Sequence, residues 1–310
     1  MLNDHDERDR SRGAVHRHLR ETTRVRCGNH IDGALQTAPD GQGKARSYSD
    51  LRTSQNEILS MTMGAPDALR AESLYLASRD GHSIDAYLAR PLDRGSVGSV
   101  IVLHHMPGLD ESTKEIVRRL AAEGFNALCP NLYAVDAPGR PPEGAFAAIW
   151  AQGGLNDDLM IDIVGVAIDF IRTLSTASDR IGLIGFCSGG RQALLAGCRL
   201  PVDAVVDCYG SFVIEKPSPD IGLSIPPISA ELSRLSCPVL GLFGLNDDNP
   251  GPAEVGRLGA LLKEHGKDAT IRSLPDAGHA FLAVDRDSYR PTAAAAGWAH
   301  ILEFLDQHLS

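Results

Sequence analysis

From Val97 onward the chain alternates short, mostly apolar runs with amphipathic stretches, and this alternation restricts its possible folds more than any other feature. The runs are VGSVIVLHH, FNALCP, RIGLIGF, DAVVDCY, CPVLGLF and ATIRSLP. Near-continuous apolar runs of this length read as strands buried in a sheet. Helical segments lie between them. One starts at Ser112, where Ser112 and Glu115 have capping-box spacing and Ile116, Val117, Leu120 and Ala121 share a face. Others run from about Asn156 to Leu174, from Gly189, from Pro252 to Gly266, and from Thr292 to about Leu309. The last carries Trp298, Ile301, Leu302 and Leu305, which read as core. Upstream, SLYLAS and SIDAYLAR flank Asp80-Gly81, a hairpin signal. An antiparallel hairpin leading into strand–helix units predicts one α/β domain, with a mostly parallel central sheet and helices on both faces. Residues 131–144 and 210–230 read as loops; the second either lines a pocket or is only a surface connection.

This regular pattern starts near residue 69. Residues 1–68 are rich in Arg, Asp, His, Ser and Gly without periodicity, which predicts a disordered N-terminal extension ahead of a domain at 69–310. Met61 and Met63 stand just before the domain, and either is a candidate start if the upstream residues are an over-extended reading frame. The extension has no apolar leader segment, and no apolar run approaches the ~18 residues of a membrane span. The net charge of −10 argues against nucleic acid as a partner. Six scattered cysteines without a Cys-x-x-Cys pair fit a reduced, cytoplasmic protein. The oligomeric state is open, and a monomer is compatible with the sequence.

The chemistry concentrates at Gly185-Phe186-Cys187-Ser188-Gly189-Gly190. This is the nucleophile-elbow pattern G-x-S-x-G with cysteine for serine, placed between an apolar strand and a helix. A nucleophile on so sharp a turn needs small flanking residues, and the helix N-terminus behind it favours a thiolate. A triad on such an elbow runs nucleophile, acid, histidine along the chain. Asp247, after CPVLGLF, and His279, after ATIRSLP, keep that order at strand ends, where parallel sheets place their ligands. Asp248 competes with Asp247 as the acid. An unperturbed thiol is only about 3% ionised at pH 7, so Cys187 needs His279 as its proton acceptor. The adjacent His104 and His105 do not read as a metal site, because neighbouring strand-end side chains point apart and no carboxylate recurs at ligand spacing. No cofactor or metal is called for.

Four stretches together give the chain a family likeness: Gly185–Gly190, the CPNLYA segment at Cys129–Ala134, Gly244–Asp247, and AGHAF at Ala277–Phe281. On these motifs residues 70–308 resemble the dienelactone hydrolase (carboxymethylenebutenolidase) family of the α/β-hydrolase superfamily. The resemblance implies an α/β-hydrolase fold and hydrolysis of a small ester or lactone, with Cys187 as nucleophile, Asp247 as acid and His279 as base. It implies an oxyanion hole made by the backbone N–H groups of Met106 and Ser188. The chain departs from the family at two places. A family glutamate beside the nucleophile is replaced by His105, which either bonds Cys187 or the substrate, or is a loop histidine satisfied by a backbone carbonyl. A substrate-binding arginine four residues after the catalytic histidine is replaced by Ala283, leaving Arg191 or Arg286 as substitutes and Arg140 as a match for a second arginine. Two other readings stay open: a catalytically silent scaffold that binds a small molecule, and a thiol redox protein using Cys187.

Overall fold

The computed structural model describes residues 68–92 and 95–310. The expected N-terminal extension and the alternative starts at Met61 and Met63 lie outside the described residues.

Eight strands form a single sheet in the order β1-β2-β4-β3-β5-β6-β7-β8. Strands β1 (Leu69–Ala77) and β2 (Ser83–Pro91) form the expected hairpin, closed by a turn in which Gly81 takes φ +83°. Strand β2 pairs antiparallel with β4 (Asn126–Pro130). Every later pairing is parallel: β4 with β3 (Val97–Leu103), then β5 (Ala177–Phe186), β6 (Ala204–Cys208), β7 (Val239–Gly244) and β8 (Ala269–Leu274). All residues of β4, β6 and β7 are buried, as continuous apolar runs require when both faces of a sheet are covered.

The helices are α1 (Glu111–Ala122), α2 (Pro142–Ala151), α3 (Asp157–Ile171), α4 (Ser188–Arg199), α5 (Pro252–Glu264) and α6 (Pro291–Leu309). Helices α1 and α6 share one side of the sheet, where the Arg119 guanidinium lies 4.0 Å over the Trp298 ring. Trp298, Ile301 and Leu305 of α6 are core residues, each buried aliphatic side chain contributing about 1.5–3 kcal/mol. Among the described residues no helix is long and apolar enough to cross a membrane.

Two details differ from the sequence reading. Helix α1 is capped by Asp110, whose carboxylate accepts the Thr113 N–H at 2.7 Å, whereas Ser112 lies inside the helix and donates to Asp285. A carboxylate in extended backbone just before the first turn satisfies the orphan amide without using Ser112. The second difference is α2, which occupies part of the predicted loop at 131–144 and the residues after it. Prolines 141 and 142 are helix starters here, since the N-terminal turn needs no amide donor from them.

Candidate active site

Strand order reverses between β3 and β5: β3 connects to β4 on one side, while β5 lies on the other. Such a switch point opens a crevice at the carboxyl ends of the strands, and the chemical groups gather there. The β3 end supplies His104–Gly108, the β5 end Cys187, the β7 end Asp247, and the β8 end His279.

Cys187 has φ +55° and ψ −120°, a strained backbone for a residue with a side chain. Its N–H donates to the Cys208 carbonyl at 3.0 Å, and its carbonyl accepts from Gly190 N–H at 2.9 Å. The small flanks are required sterically. A Cβ on Gly185 would collide with the Gly189 carbonyl, and one on Gly189 with the Leu103 carbonyl. The turn therefore holds the thiol on the floor of a cavity of about 550 Å³, with helix α4 starting immediately behind it.

His279 lines the same cavity, and its Nδ1 lies 3.0 Å from Asp247 Oδ2. Asp247 is buried, and its other oxygen accepts the Asn249 N–H at 2.8 Å. Asp248 lines the cavity but is exposed and makes no hydrogen bond to His279. Burial works against a charge on His279, but hydrogen bonds to Asp247 and Cys187 outweigh it and raise its pKa to about 10. The edge of Tyr209, a residue held at φ +46°, meets the His279 ring at a centroid distance of 5.3 Å.

The loop after β3 is tied down from several sides. Leu132 N–H donates to His104 Nε2 at 3.0 Å, so the ring proton sits on Nδ1, which donates to the His105 carbonyl at 3.0 Å. That carbonyl and the Met106 N–H belong to one peptide unit, the expected oxyanion donor. His104 is fully buried, and burial lowers its pKa to about 4 despite the bond to the His105 carbonyl. Arg286 donates to the Met106 carbonyl at 2.6 Å.

The residues expected to act beside the triad are placed differently. His105 is buried with Nε2 at 3.1 Å from Asp110, the cap of α1, and it does not line the cavity. Burial pushes the Asp110 carboxyl up, but the bond to His105 and the Thr113 amide together hold it well below the usual range. Arg191 lines the cavity, yet its terminal nitrogens are held by both Asp157 oxygens at 2.7 and 2.8 Å and by the Pro226 carbonyl at 2.7 Å. Arg140 is exposed and away from the cavity. Arg286 lines the cavity, and among the described residues its hydrogen bond goes to the Met106 carbonyl and not to a carboxylate. Sequence reasoning missed His104, Tyr209, and the aromatic pair Phe146 and Trp150 that line the cavity. The i, i+4 spacing of that pair was the available signal.

Burial raises the other described thiols: Cys129 and Cys208 well above the ordinary range, Cys198 to about 12 and Cys237 to about 11. Cys187 alone of the described cysteines lines the cavity.

The strained turn of Cys187 after β5, with Asp247 and His279 at the ends of β7 and β8 in this mostly parallel eight-stranded sheet, fits an α/β-hydrolase fold. Residues 84–309 match the model of the dienelactone hydrolase family, and the chain belongs to that family. Among its relatives is a Salmonella typhimurium protein named "Putative carboxymethylenebutenolidase", 32% identical over 250 residues that cover 78% of this chain and 90% of the relative. A Bradyrhizobium protein named "Probable 2-oxo-3-(5-oxofuran-2-ylidene)propanoate lactonase" is 30% identical over 233 residues, covering 74% of this chain and 92% of that one. The crystal structure titled as a "Putative Dienelactone Hydrolase" from Klebsiella pneumoniae superposes with a TM-score of 0.69 at 28% identity. It covers 78% of this chain and all of that one.

Proposed function

We propose that this hydrolase cleaves a small carboxylic ester or lactone through a thioester on Cys187. The observation that carries the reading is the strained Cys187 elbow sharing one cavity with a His279 imidazole bonded to buried Asp247. His279 takes the thiol proton, and the raised pKa of its ring favours holding it. The sulfur attacks the carbonyl carbon, and the oxyanion forms against the N–H groups of Met106 and Ser188. As the tetrahedral adduct collapses, the C–O bond breaks and the leaving oxygen takes the proton from His279. A water deprotonated by His279 then attacks the thioester, releasing the acid and returning the thiol.

Asp247 holds the imidazole with Nδ1 toward itself and Nε2 toward the sulfur. Arg286, anchored through its bond to the Met106 carbonyl, is the cavity-lining cation without a carboxylate partner among the described residues, and it meets a substrate carboxylate or other anionic oxygen at the Met106 side of the cavity. Arg191 is engaged by Asp157 and is assigned no substrate contact.

Stopped-flow hydrolysis of p-nitrophenyl acetate tests this directly. A burst of one p-nitrophenolate per enzyme, with a thioester of matching mass on Cys187, is the expected result. Alkylation of Cys187 without any turnover of an ester or lactone panel would leave a silent binding scaffold. Peroxide-dependent sulfenate formation without turnover would leave the redox reading.

A further inference from the structure

The polar groups of the cavity lie at its sheet side, whereas an opposite wall is apolar and comes from two segments outside the sheet. Helix α2 contributes Phe146, Ile149 and Trp150. Phe146 and Trp150, one turn apart, meet edge to face at 5.4 Å and remain half-buried toward the cavity. The second segment follows the 3₁₀ turn at Pro219–Ile221 and contributes Ile221, Leu223 and Ile225. These alternate with exposed Gly222 and Ser224, the period of an extended strand showing one face to the cavity.

The two segments are fastened together. Ser224 N–H donates to the Gly153 carbonyl at 2.7 Å. Ile225 packs so close to Gly154 that a Cβ there would lie 2.6 Å from Ile225 Cγ2. Arg191 holds the next residue through the Pro226 carbonyl. The wall is thus a built surface of large apolar side chains, incompletely covered, over a cavity of small-molecule size. The cavity-lining cations are Arg191, paired with Asp157, and Arg286, bonded to the Met106 carbonyl, so this wall offers no counter-charge to an anionic group.

We infer that the wall formed by α2 and residues 221–225 is a binding subsite for an apolar alkyl or aryl group of the ester, so that extended hydrophobic esters are the substrates favoured over small polar ones. The inference rests on the reading of Cys187 as an ester-cleaving nucleophile. Each methylene moved from water onto such a surface is worth about a fourfold gain in kcat/KM, since the group is held in both complex and transition state.

Two substrate series locate the group: p-nitrophenyl acetate, butanoate, hexanoate and octanoate for the acyl side, and ethyl, butyl and hexyl acetate for the alcohol side. At least one series should rise by tenfold or more in kcat/KM from its shortest to its longest efficient member. Leu223→Asn, at a half-buried position, should cut the hexanoate-to-acetate ratio by about tenfold if the acyl series is the one that rises, or the hexyl-to-ethyl ratio if the alcohol series does. If both series are flat or falling, or if the ratio survives that substitution, the inference is overturned. Should no ester be hydrolysed at all, Trp150 emission decides instead. Octanoate, but not acetate, should shift it, with Trp150→Phe as the blank. A shift without turnover keeps the subsite and sinks the hydrolytic reading; no shift and no turnover sinks both.

Discussion

His104 is held neutral by the fold, and this makes stability at mild acid a direct reading of the loop that carries the Met106 amide. Its Nε2 accepts the Leu132 N–H, a position that a protonated ring would have to abandon, and no solvent reaches the ring to compensate. Burial lowers the pKa from 6.5 to about 4. Below pH 6.5 the unfolded chain takes up a proton that the folded chain refuses, so the contribution is complete above that pH and is lost as pH falls toward 4. A shift of this size is worth about 3 kcal/mol in full, and most of it is gone by pH 4.5. Glutamine offers one donor and one acceptor at similar reach, so His104→Gln keeps both hydrogen bonds and removes the titration. Urea unfolding of both proteins at pH 7.5 and pH 4.5 reads the difference. Carboxylates titrate in both proteins and cancel, so the stability of the variant relative to the parent should rise by about 2–3 kcal/mol on acidification. A difference that stays constant within about 0.5 kcal/mol would show that His104 is not buried neutral, and the tautomer argument for the Met106 peptide would fall with it.

Cys187→Ala and His279→Ala should each reduce ester hydrolysis by at least about 10³-fold while melting cooperatively; a variant with parental turnover per folded molecule removes its residue from the mechanism. Asp247→Asn should lower kcat by roughly 10²–10⁴-fold through the wrong imidazole tautomer. Asp248→Asn, exposed and unbonded to His279, should change it less than about threefold, and the opposite ranking would reassign the acid. Arg286→Leu should raise KM for a carboxylate-bearing lactone at least about tenfold more than KM for a neutral ester, and equal changes would refute a charge contact there.

Strand and helix positions were legible because the buried strands are near-continuous apolar runs and the helices carry a one-sided apolar stripe. The elbow was legible because steric crowding leaves Gly185 and Gly189 no alternative. Helix α2 was not, because Pro141, Pro142 and Gly144 read as loop residues and its apolar positions lie all round instead of on one stripe. The partners of His105 and Arg191 were equally hidden. Asp110 is five residues from His105 in the loop before α1, while Asp157 lies 34 residues from Arg191 on another helix. Side-chain pairing at such separations depends on how helices pack, which local pattern does not encode.

The groups assigned to bond breaking and the groups assigned to molecular fit belong to different parts of the chain. Cys187, Asp247 and His279 are fixed by strand ends whose registers are locked to one another, whereas Phe146, Trp150, Leu223 and Ile225 sit on segments that donate no strand to the sheet. Exchanging the latter changes the shape of the chamber without moving the reactive atoms. A lineage built this way can explore new diets by rewriting two short segments outside the sheet, with the risk of losing its chemistry confined to a handful of positions elsewhere.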